Sequence, residues 1–216
     1  MPHDPDPSRR RLVMGAIAAA APLAVAQPAR SARAASVTRL TPTPAQVEGP
    51  FYPDPRTLRE TDADLTRVGA MRYAAAPPLQ LSGTVLDPDG RPVPGAAVEI
   101  WQCDGQGRYH HPGDGGRADP AFQGFGRLVT GRDGAYRFTT IQPVAYPGRP
   151  PHIHAKVWLG RRELLTTQFY LAGHPVNARD ALFRSAGSDD ARGMLLLAVR
   201  REGEGLVAQR PIVVEA

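Results

Sequence analysis

Short runs of alternating apolar and polar residues, separated by turn signals, dominate the chain from Leu79 onward. Each run is six to nine residues long, and the intervening segments, such as "PDGRPVPG" and "GRDG", are rich in glycine, proline and aspartate. Several short strands at this spacing predict an all-β fold, an antiparallel β-sandwich. Only the segment "NARDALFRSA" (177–186) predicts a short helix. The predicted strands are residues 79–87, 96–104, 125–130, 135–141, 152–159, 163–171, 193–200 and 206–214.

Residues 36–78 lack this alternation and are rich in proline. The stretch "EGPFYPDP" (48–55) is typical of an extended arm rather than a helix. We therefore predict an N-terminal arm over residues 36–78, followed by the sandwich over residues 79–216. Because prolines hold a chain extended at low entropic cost, we expect the arm to pack along the sandwich, with Phe51 and Tyr52 covering apolar surface.

The first 35 residues are typical of an export signal. Arg9, Arg10 and Arg11 precede an alanine-rich apolar run, which is followed by small residues suited to cleavage. This combination predicts a twin-arginine-type signal over residues 1–35 and a periplasmic or extracellular location, since the run is too short for a membrane span. The alternative interpretation is a basic disordered arm. No later run approaches the roughly 20 apolar residues that a spanning helix needs.

Charge and cysteine content narrow the possible partners. Residues 1–35 hold five arginines and two aspartates, so most of the net charge of +5 belongs to that segment. Later arginines are scattered, and Lys156 is the only lysine. This distribution indicates a solvated surface rather than a nucleic-acid footprint, and we expect no nucleic-acid partner and no stable membrane span. With Cys103 alone, no intrachain disulfide can form.

Two histidines at the start of one predicted strand are candidate metal ligands. Residues i and i+2 of a strand lie on the same face, about 6.6–7 Å apart, so His152 and His154 share one face and Ile153, Ala155 and Val157 the other. Two such imidazoles can converge on one ion. With six histidines in 216 residues, however, about one chain in six contains such a pair by chance. A metal site therefore needs further ligands.

Two tyrosines in loops are the best additional candidates. Tyr146 lies in the proline-rich approach "QPVAYPGRPPHIH", which contains no carboxylate, and Tyr109 closes "WQCDGQGRYH". A phenol ionises more readily against ferric iron than against zinc, although either tyrosine alone is more often an amphipathic ring at a sheet margin. A zinc or copper site would need a carboxylate or thiolate near the pair. Cys103 has the character of a small buried residue.

The order of several motifs adds a resemblance. The segments "EGPFYPDP", "GTVLDPDGRPVPGAAVEIWQCDGQGRYHH", "YRFTTIQPVAYPGRPPHIHAKVW" and "LLTTQFYLAGHP" closely resemble the intradiol ring-cleavage dioxygenases over about residues 44–185. Within that family the chain looks most like the protocatechuate 3,4-dioxygenase type and its exported bacterial relatives. The resemblance implies cleavage of a catechol-type ring by O2, with both oxygen atoms inserted to give a muconate-type diacid.

The resemblance also implies residue roles. It makes Tyr109, Tyr146, His152 and His154 the ligands of one non-haem Fe(III) per chain. Tyr146 would in addition be catalytic, because the incoming substrate displaces it. Arg149 falls where the family places a guanidinium beside the substrate ring, and Gln168 falls where a glutamine accompanies it. Of the other histidines, His110, His111 and His174 match no ligand position, and His3 lies in the predicted export signal.

Several questions remain open at the level of sequence. The loop from Tyr146 to His152 is shorter than in the protocatechuate enzymes, so the pocket for the para substituent is not fixed. The sequence is compatible with a homo-oligomer, and it identifies neither the catechol nor a partner subunit. The alternative function is non-enzymatic, because "GRPVPGAAVEIW" is also typical of transthyretin-like or carboxypeptidase-regulatory-like binding modules.

Overall fold

The computed structural model describes residues 39–54, 56, 58–115 and 117–216. The predicted export signal, residues 1–35, lies outside these described residues. Among them, a pair of five-stranded sheets contributes to one apolar core, and a short hairpin stands apart from both sheets. The all-β sandwich predicted from the hydrophobic pattern is therefore confirmed.

Twelve strands are present among the described residues, with two α-helices and two short 3-10 helices. The strands are β1 (Arg67–Val68), β2 (Met71–Arg72), β3 (Pro78–Leu86), β4 (Ala96–Trp101), β5 (Phe125–Val129), β6 (Ala135–Ile141), β7 (His152–Leu159), β8 (Arg162–Leu171), β9 (Leu196–Leu197), β10 (Arg200–Glu202), β11 (Gly205–Gln209) and β12 (Ile212–Val213). The helices are α1 (Ala181–Ser185) and α2 (Asp189–Met194), and the 3-10 turns are Pro112–Asp114 and Asn177–Arg179.

The two sheets are mostly antiparallel but have parallel pairs. One sheet runs β10-β11-β3-β12 with β6 also beside β3, and the other runs β5-β4-β7-β8-β9. Strands β11 and β12 pair with β3 in parallel, and β9 pairs with β8 in parallel. The predicted strand 206–214 is divided at Pro211, which lacks the N–H needed to continue a ladder. Its two halves therefore lie against different stretches of β3.

The C-terminal helices differ partly from the prediction. The predicted helix 177–186 is present as a 3-10 turn followed by α1, whose N-cap Asp180 accepts a hydrogen bond from Phe183 N. Helix α2 was not predicted, and its N-cap Ser188 accepts from Ala191 N. Because α2 includes Met194, only Leu196–Leu197 of the predicted strand 193–200 is extended before Arg200. No helix among the described residues is long and apolar enough to cross a bilayer.

Strand β7 has two buried faces. Ile153, Ala155 and Val157 lie in the core between the sheets, as the alternation predicts. The arm covers the opposite face, where His152 and His154 lie.

Backbone and side-chain hydrogen bonds attach the arm to β8. Gln46 N donates to Thr166 O at 2.8 Å, Thr167 Oγ1 donates to Pro44 O at 2.7 Å, and Gln168 Nε2 donates to Val47 O at 2.8 Å.

Candidate metal centre

The four side chains predicted as ligands converge at one edge of the sandwich. The Nε2 atoms of His152 and His154 lie 3.1 Å apart. The Tyr146 ring centroid lies 5.5 Å from that of His152 and 5.5 Å from that of Tyr109, and the Tyr109 ring lies 6.3 Å from His154. Residues separated by up to 45 positions in the sequence thus share one cluster.

A loop organised by one aspartate places Tyr109. After β4 the chain turns at Asp104, whose Oδ1 accepts the backbone N–H groups of Gln106 and Arg108 at 2.8 and 3.0 Å. Gly107 supplies the left-handed backbone (φ 77°) that this turn requires. The N–H of Tyr109 then donates to Asp114 Oδ2 at 2.6 Å. These hydrogen bonds direct the tyrosine ring into the cluster, where the side chain is 2% exposed.

A tight turn places Tyr146 beside Arg149. Arg149 N donates to Tyr146 O at 2.9 Å, with Pro147 and Gly148 between them and Gly148 at φ 82°. A four-residue turn with proline second and a left-handed glycine third has the sequence and backbone of a type II turn. This turn forms the first part of the loop from Tyr146 to His152, and it brings the Tyr146 phenol close to the Arg149 guanidinium.

Burial makes the two histidines neutral electron-pair donors. Burial lowers the pKa of His152 to about 4, and burial followed by repulsion from His152 lowers the pKa of His154 well below its usual range. The Nδ1 of His152 lies 2.6 Å from Pro150 O, so it carries the proton and leaves a lone pair on Nε2. Both Nε2 atoms face the cluster.

Unsatisfied polar atoms show that this cluster is suited to a metal ion. The hydroxyl of Tyr109 and the Nδ1 of His154 are buried and have no hydrogen-bond partner among the described residues. Buried polar groups normally have one, so an unpaired phenol oxygen beside two imidazole nitrogens fits a cation-binding role. Burial raises the pKa of Tyr109 well above its usual value, and a bound cation reverses such a shift.

The donor set restricts which metal the cluster can hold. No group of three or more His, Cys, Asp or Glu side chains in the described residues could bind a metal ion. The donors at this site are therefore two imidazoles and two phenols. Phenolate oxygen is a hard ligand, which suits a ferric ion better than zinc or copper.

Arg149 and Gln168, the two other predicted site residues, contact each other at the cluster. Arg149 Nη2 donates to Gln168 Oε1 at 2.6 Å, and Gln168 is the cross-strand neighbour of His154. Asp180 and Tyr170 complete this group, since Arg149 Nε donates to Asp180 Oδ2 at 3.0 Å and Tyr170 donates to Gln168 Oε1 at 3.1 Å. Sequence reasoning missed Asp180 and Tyr170. Asp180 lay inside the predicted helix 177–186, so the sequence did not mark it as an N-cap or as a partner of Arg149.

The arm forms an aromatic cover over this site, as predicted. Phe51 stacks on Tyr109 with ring centroids 4.7 Å apart, and its ring lies 6.2 Å from that of Tyr146. Tyr52 meets Trp101 edge-on at 5.0 Å. The expectation that these two aromatic rings of the arm cover apolar surface is therefore confirmed.

The histidines that match no ligand position lie outside the four-residue cluster. His110 Nε2 lies 3.0 Å from Asp119 O, and His111 Nδ1 accepts from Gly113 N at 3.0 Å as the cap of a 3-10 turn. Both line a neighbouring cavity of about 610 Å³, whose wall includes none of the six predicted site residues. None of the four candidate ligands therefore lines this cavity.

Fold and site together define an all-β protein with a buried cluster of hard oxygen and imidazole donors. A family model described as dioxygenase matches residues 47–208. The dioxygenase domain of a carbohydrate-binding fusion protein from Streptomyces sp. SirexAA-E superposes with a TM-score of 0.63 at 33% identity, covering 82% of this chain and 99% of that domain. The chain belongs to the intradiol ring-cleavage dioxygenase family.

Curated relatives agree with this assignment. The chain is 39% identical to the protocatechuate 3,4-dioxygenase beta chain of Burkholderia cepacia over 148 residues, which is 62% of each chain. It is 34% identical to catechol 1,2-dioxygenase 1 of Acinetobacter lwoffii over 152 residues, or 62% of this chain and 48% of that one. The chain thus spans between about half and two thirds of these relatives. The family match favours an enzyme over the alternative of a non-enzymatic sandwich module.

Proposed function

We propose that the protein cleaves a catechol-type ring between its two hydroxylated carbons, using O2 and a non-haem ferric ion. The observation that carries this proposal is the convergence of Tyr109, Tyr146, His152 and His154, with the Tyr109 oxygen buried and unpaired among the described residues. These four residues would hold the ion. A ferric ion bound there supplies the Lewis acidity that makes a catecholate ring reactive toward O2.

Tyr146 is the residue suited to accept a proton from the substrate. Burial raises the pKa of its phenol, while the Arg149 guanidinium beside it opposes that rise. A phenolate at this position could take up a catechol hydroxyl proton, and the resulting neutral phenol would be a weaker donor to an ion held by the cluster. Tyr109 is more deeply buried, at 2% exposure, and no cation is in hydrogen-bond contact with it among the described residues. It would therefore serve as a permanent donor to the ion.

Arg149 and Gln168 are suited to stabilise and orient the reacting ring. The guanidinium is fixed by Asp180 and by Gln168 Oε1, and the Gln168 amide is itself fixed because its Nε2 donates to Val47 O. A preorganised cation stabilises negative charge that develops during reaction without having to reorganise. The net change breaks the bond between the two hydroxylated carbons and adds both atoms of O2, so that each carbon becomes a carboxylate.

The substrate is proposed only as a class. Relatives named for protocatechuate, catechol and hydroxyquinol all match this chain, and these compounds share adjacent ring hydroxyls. In this protein a two-residue turn, Pro147–Gly148, is all that separates Tyr146 from Arg149, so that loop can supply little selection against a ring substituent.

We also propose that the protein is exported and belongs to an exported branch of its family. The support is the arginine triplet Arg9–Arg11 followed by the alanine-rich run. A fusion of the export signal to a reporter that folds before translocation tests this: the reporter should reach the periplasm or medium, and Arg9→Lys with Arg10→Lys and Arg11→Lys should retain it in the cytoplasm.

Metal analysis tests the proposed site. Protein expressed with added iron should contain one iron per chain and show a visible tyrosinate-to-iron absorption band. Stoichiometric zinc, or no metal after iron supplementation, would contradict the proposal and leave a binding function as the better account. A colourless protein that nevertheless contains one iron per chain would also contradict the assignment of two tyrosine ligands.

A further inference from the structure

The two histidines of the cluster differ in the contacts that hold their rings in place. The imidazole of His152 is fixed by the contact of its Nδ1 with Pro150 O at 2.6 Å. His154 Nδ1 is buried and has no partner among the described residues. Metal-binding histidines almost always donate their second ring nitrogen to a carbonyl, a carboxylate or water, which fixes the ring plane. No side chain or carbonyl of the described residues therefore holds the ring of His154 through its Nδ1.

Trp101 stacks on the ring of His154. Its indole ring is nearly parallel to the imidazole of His154, with an interplanar angle of 9° and a centroid separation of 4.7 Å. Strands β4 and β7 create the pair, because Trp101 and His154 are direct cross-strand neighbours in the sheet. Side chains at such positions lie on the same face, so the stacking follows from the register. Trp101 is 1% exposed.

The arm restrains the indole in turn. Tyr52 meets the Trp101 ring edge-on at 5.0 Å. The Tyr52 hydroxyl donates to the buried carboxylate of Glu99 at 2.9 Å, and Lys156 Nζ lies 4.2 Å from the centroid of the Tyr52 ring. Trp101 Nε1 has no hydrogen-bond partner in the described residues, so packing rather than hydrogen bonding sets the position of the indole.

We propose that Trp101 is a positioning residue that orients His154 for the metal and takes the place of the usual hydrogen bond donated by Nδ1. Trp101 cannot be a ligand, because the indole is a donor only. Rotation of the imidazole would break the parallel contact with the indole and turn Nε2 away from the cluster. This proposal rests on the proposed iron site and adds a specific determinant of its geometry.

The test compares iron release from three variants with that from wild-type protein. Iron-loaded protein is mixed with excess chelator, and loss of the visible band gives the dissociation rate. Trp101→Leu should release iron about 10–100-fold faster, the usual effect of removing a group that orients a ligand. Trp101→Phe keeps an aromatic face, so its iron dissociation rate should be close to that of the wild-type protein. Unaltered iron release from folded Trp101→Leu would overturn the proposal.

Trp158→Leu is the matched control. Trp158 lies on the same face of β7 as His154, but its cross-strand neighbour on β4 is Ala97. Its Nε1 donates to Glu99 at 2.9 Å. The Trp158→Leu substitution should lower the thermal stability of the apoprotein while leaving the iron-release rate near that of wild type. Equally fast release from Trp158→Leu and Trp101→Leu would mean that loss of packing, and not of orientation, is responsible.

An NMR measurement on wild-type apoprotein tests the stacking of Trp101 on His154 without any substitution. The ring protons of His154 should be shifted upfield by the stacked indole, and more strongly than those of His152, whose aromatic neighbours Tyr146 and Tyr170 are tilted rather than stacked. This result does not require Trp101→Leu to fold. Ring protons of His154 without such a shift would overturn the proposal. If the wild-type protein bound no iron, the proposed function would fail, whereas the upfield shift would still decide whether Trp101 orients the ring.

Discussion

The carboxylate of Asp180 receives a 3.0 Å hydrogen bond from Arg149 Nε, and its other oxygen accepts the backbone N–H of Phe183. One residue thus caps helix α1 and fixes the guanidinium at the proposed active site. Side chains of both partners are largely buried, at 17% and 5% exposure. The helix that follows β8 is therefore coupled directly to the orientation of Arg149.

Asp180→Asn should separate these two roles. Asparagine caps a helix as well as aspartate does, so α1 should persist and the melting temperature should change little from this cause. Loss of the carboxylate charge leaves Arg149 less firmly held, and misplacement of a substrate-positioning group by about 1 Å can cost up to about 100-fold in rate. We expect a lower kcat with unchanged iron content. Asp180→Ala, which removes cap and charge together, should additionally lose stability.

Arg149→Ala should separate catalysis from metal binding. Arginine offers no lone pair to iron, so iron content and colour should stay close to wild type, and catechol should still shift the spectrum. We expect kcat to fall by at least about 100-fold, as when one charge-stabilising donor is removed. Normal turnover, or loss of iron, would contradict the role assigned to Arg149.

A double variant controls for the unpaired charge that Arg149→Ala leaves behind. Removing one partner of a buried ion pair is destabilising in itself. In Arg149→Ala with Asp180→Asn the remaining charge is gone, so stability should partly recover. The activity should not recover, since the guanidinium is still absent.

The two tyrosines should respond differently to loss of their hydroxyl groups. Tyr109→Phe removes a buried hydroxyl that is unpaired among the described residues, so the apoprotein should be as stable as wild type or more stable. The iron-loaded variant should lose most of its visible band and its activity. Tyr146→Phe should keep some colour from Tyr109 while turnover falls. Thermal denaturation with and without iron, together with visible spectra, checks this pair, and a less stable Tyr109→Phe apoprotein would contradict it.

Cys103 should be inert to thiol reagents in the native protein. Burial raises the pKa of its thiol to about 12, from an ordinary value of 9.0. The folded state therefore retains a proton that the unfolded state loses, so the thiol contributes stability below about pH 9 that disappears as the pH rises toward 12. Denaturation across this range should show a smaller loss for Cys103→Ala than for wild type. Rapid labelling of native protein at pH 8 would contradict the assignment.

The sequence was sufficient to predict the faces of β7 and the cluster that it carries. Alternation along residues 152–159 assigned the histidines to one face and the apolar residues to the core, and that assignment depends only on the two-residue period of a strand. The loops that hold Tyr109 and Tyr146 made them candidates, and only the motif resemblance assigned them as ligands among the six tyrosines. The structure brings all four side chains together.

Contacts between distant segments could not be predicted in the same way. Asp180 lies 31 residues from Arg149, and nothing in its local sequence marks it as a partner. The stacking of Trp101 on His154 depends on the register between β4 and β7, which alternation leaves undetermined. The parallel pairing of β9, β11 and β12 likewise depends on where the chain returns after α2, because such short strands have little pattern of their own.

Isotope labelling of the ring-cleavage product tests whether the protein cleaves a catechol between its hydroxylated carbons with both atoms of O2. Iron-loaded protein is incubated with a panel of catechols under ¹⁸O2, and the products are analysed by mass spectrometry. We expect a muconate-type diacid that carries two labelled oxygen atoms, one in each new carboxylate. Arg149→Ala should give no such product at comparable times. A semialdehyde from cleavage beside the hydroxyls, or no turnover of any catechol by protein with one iron per chain, would contradict the proposed function.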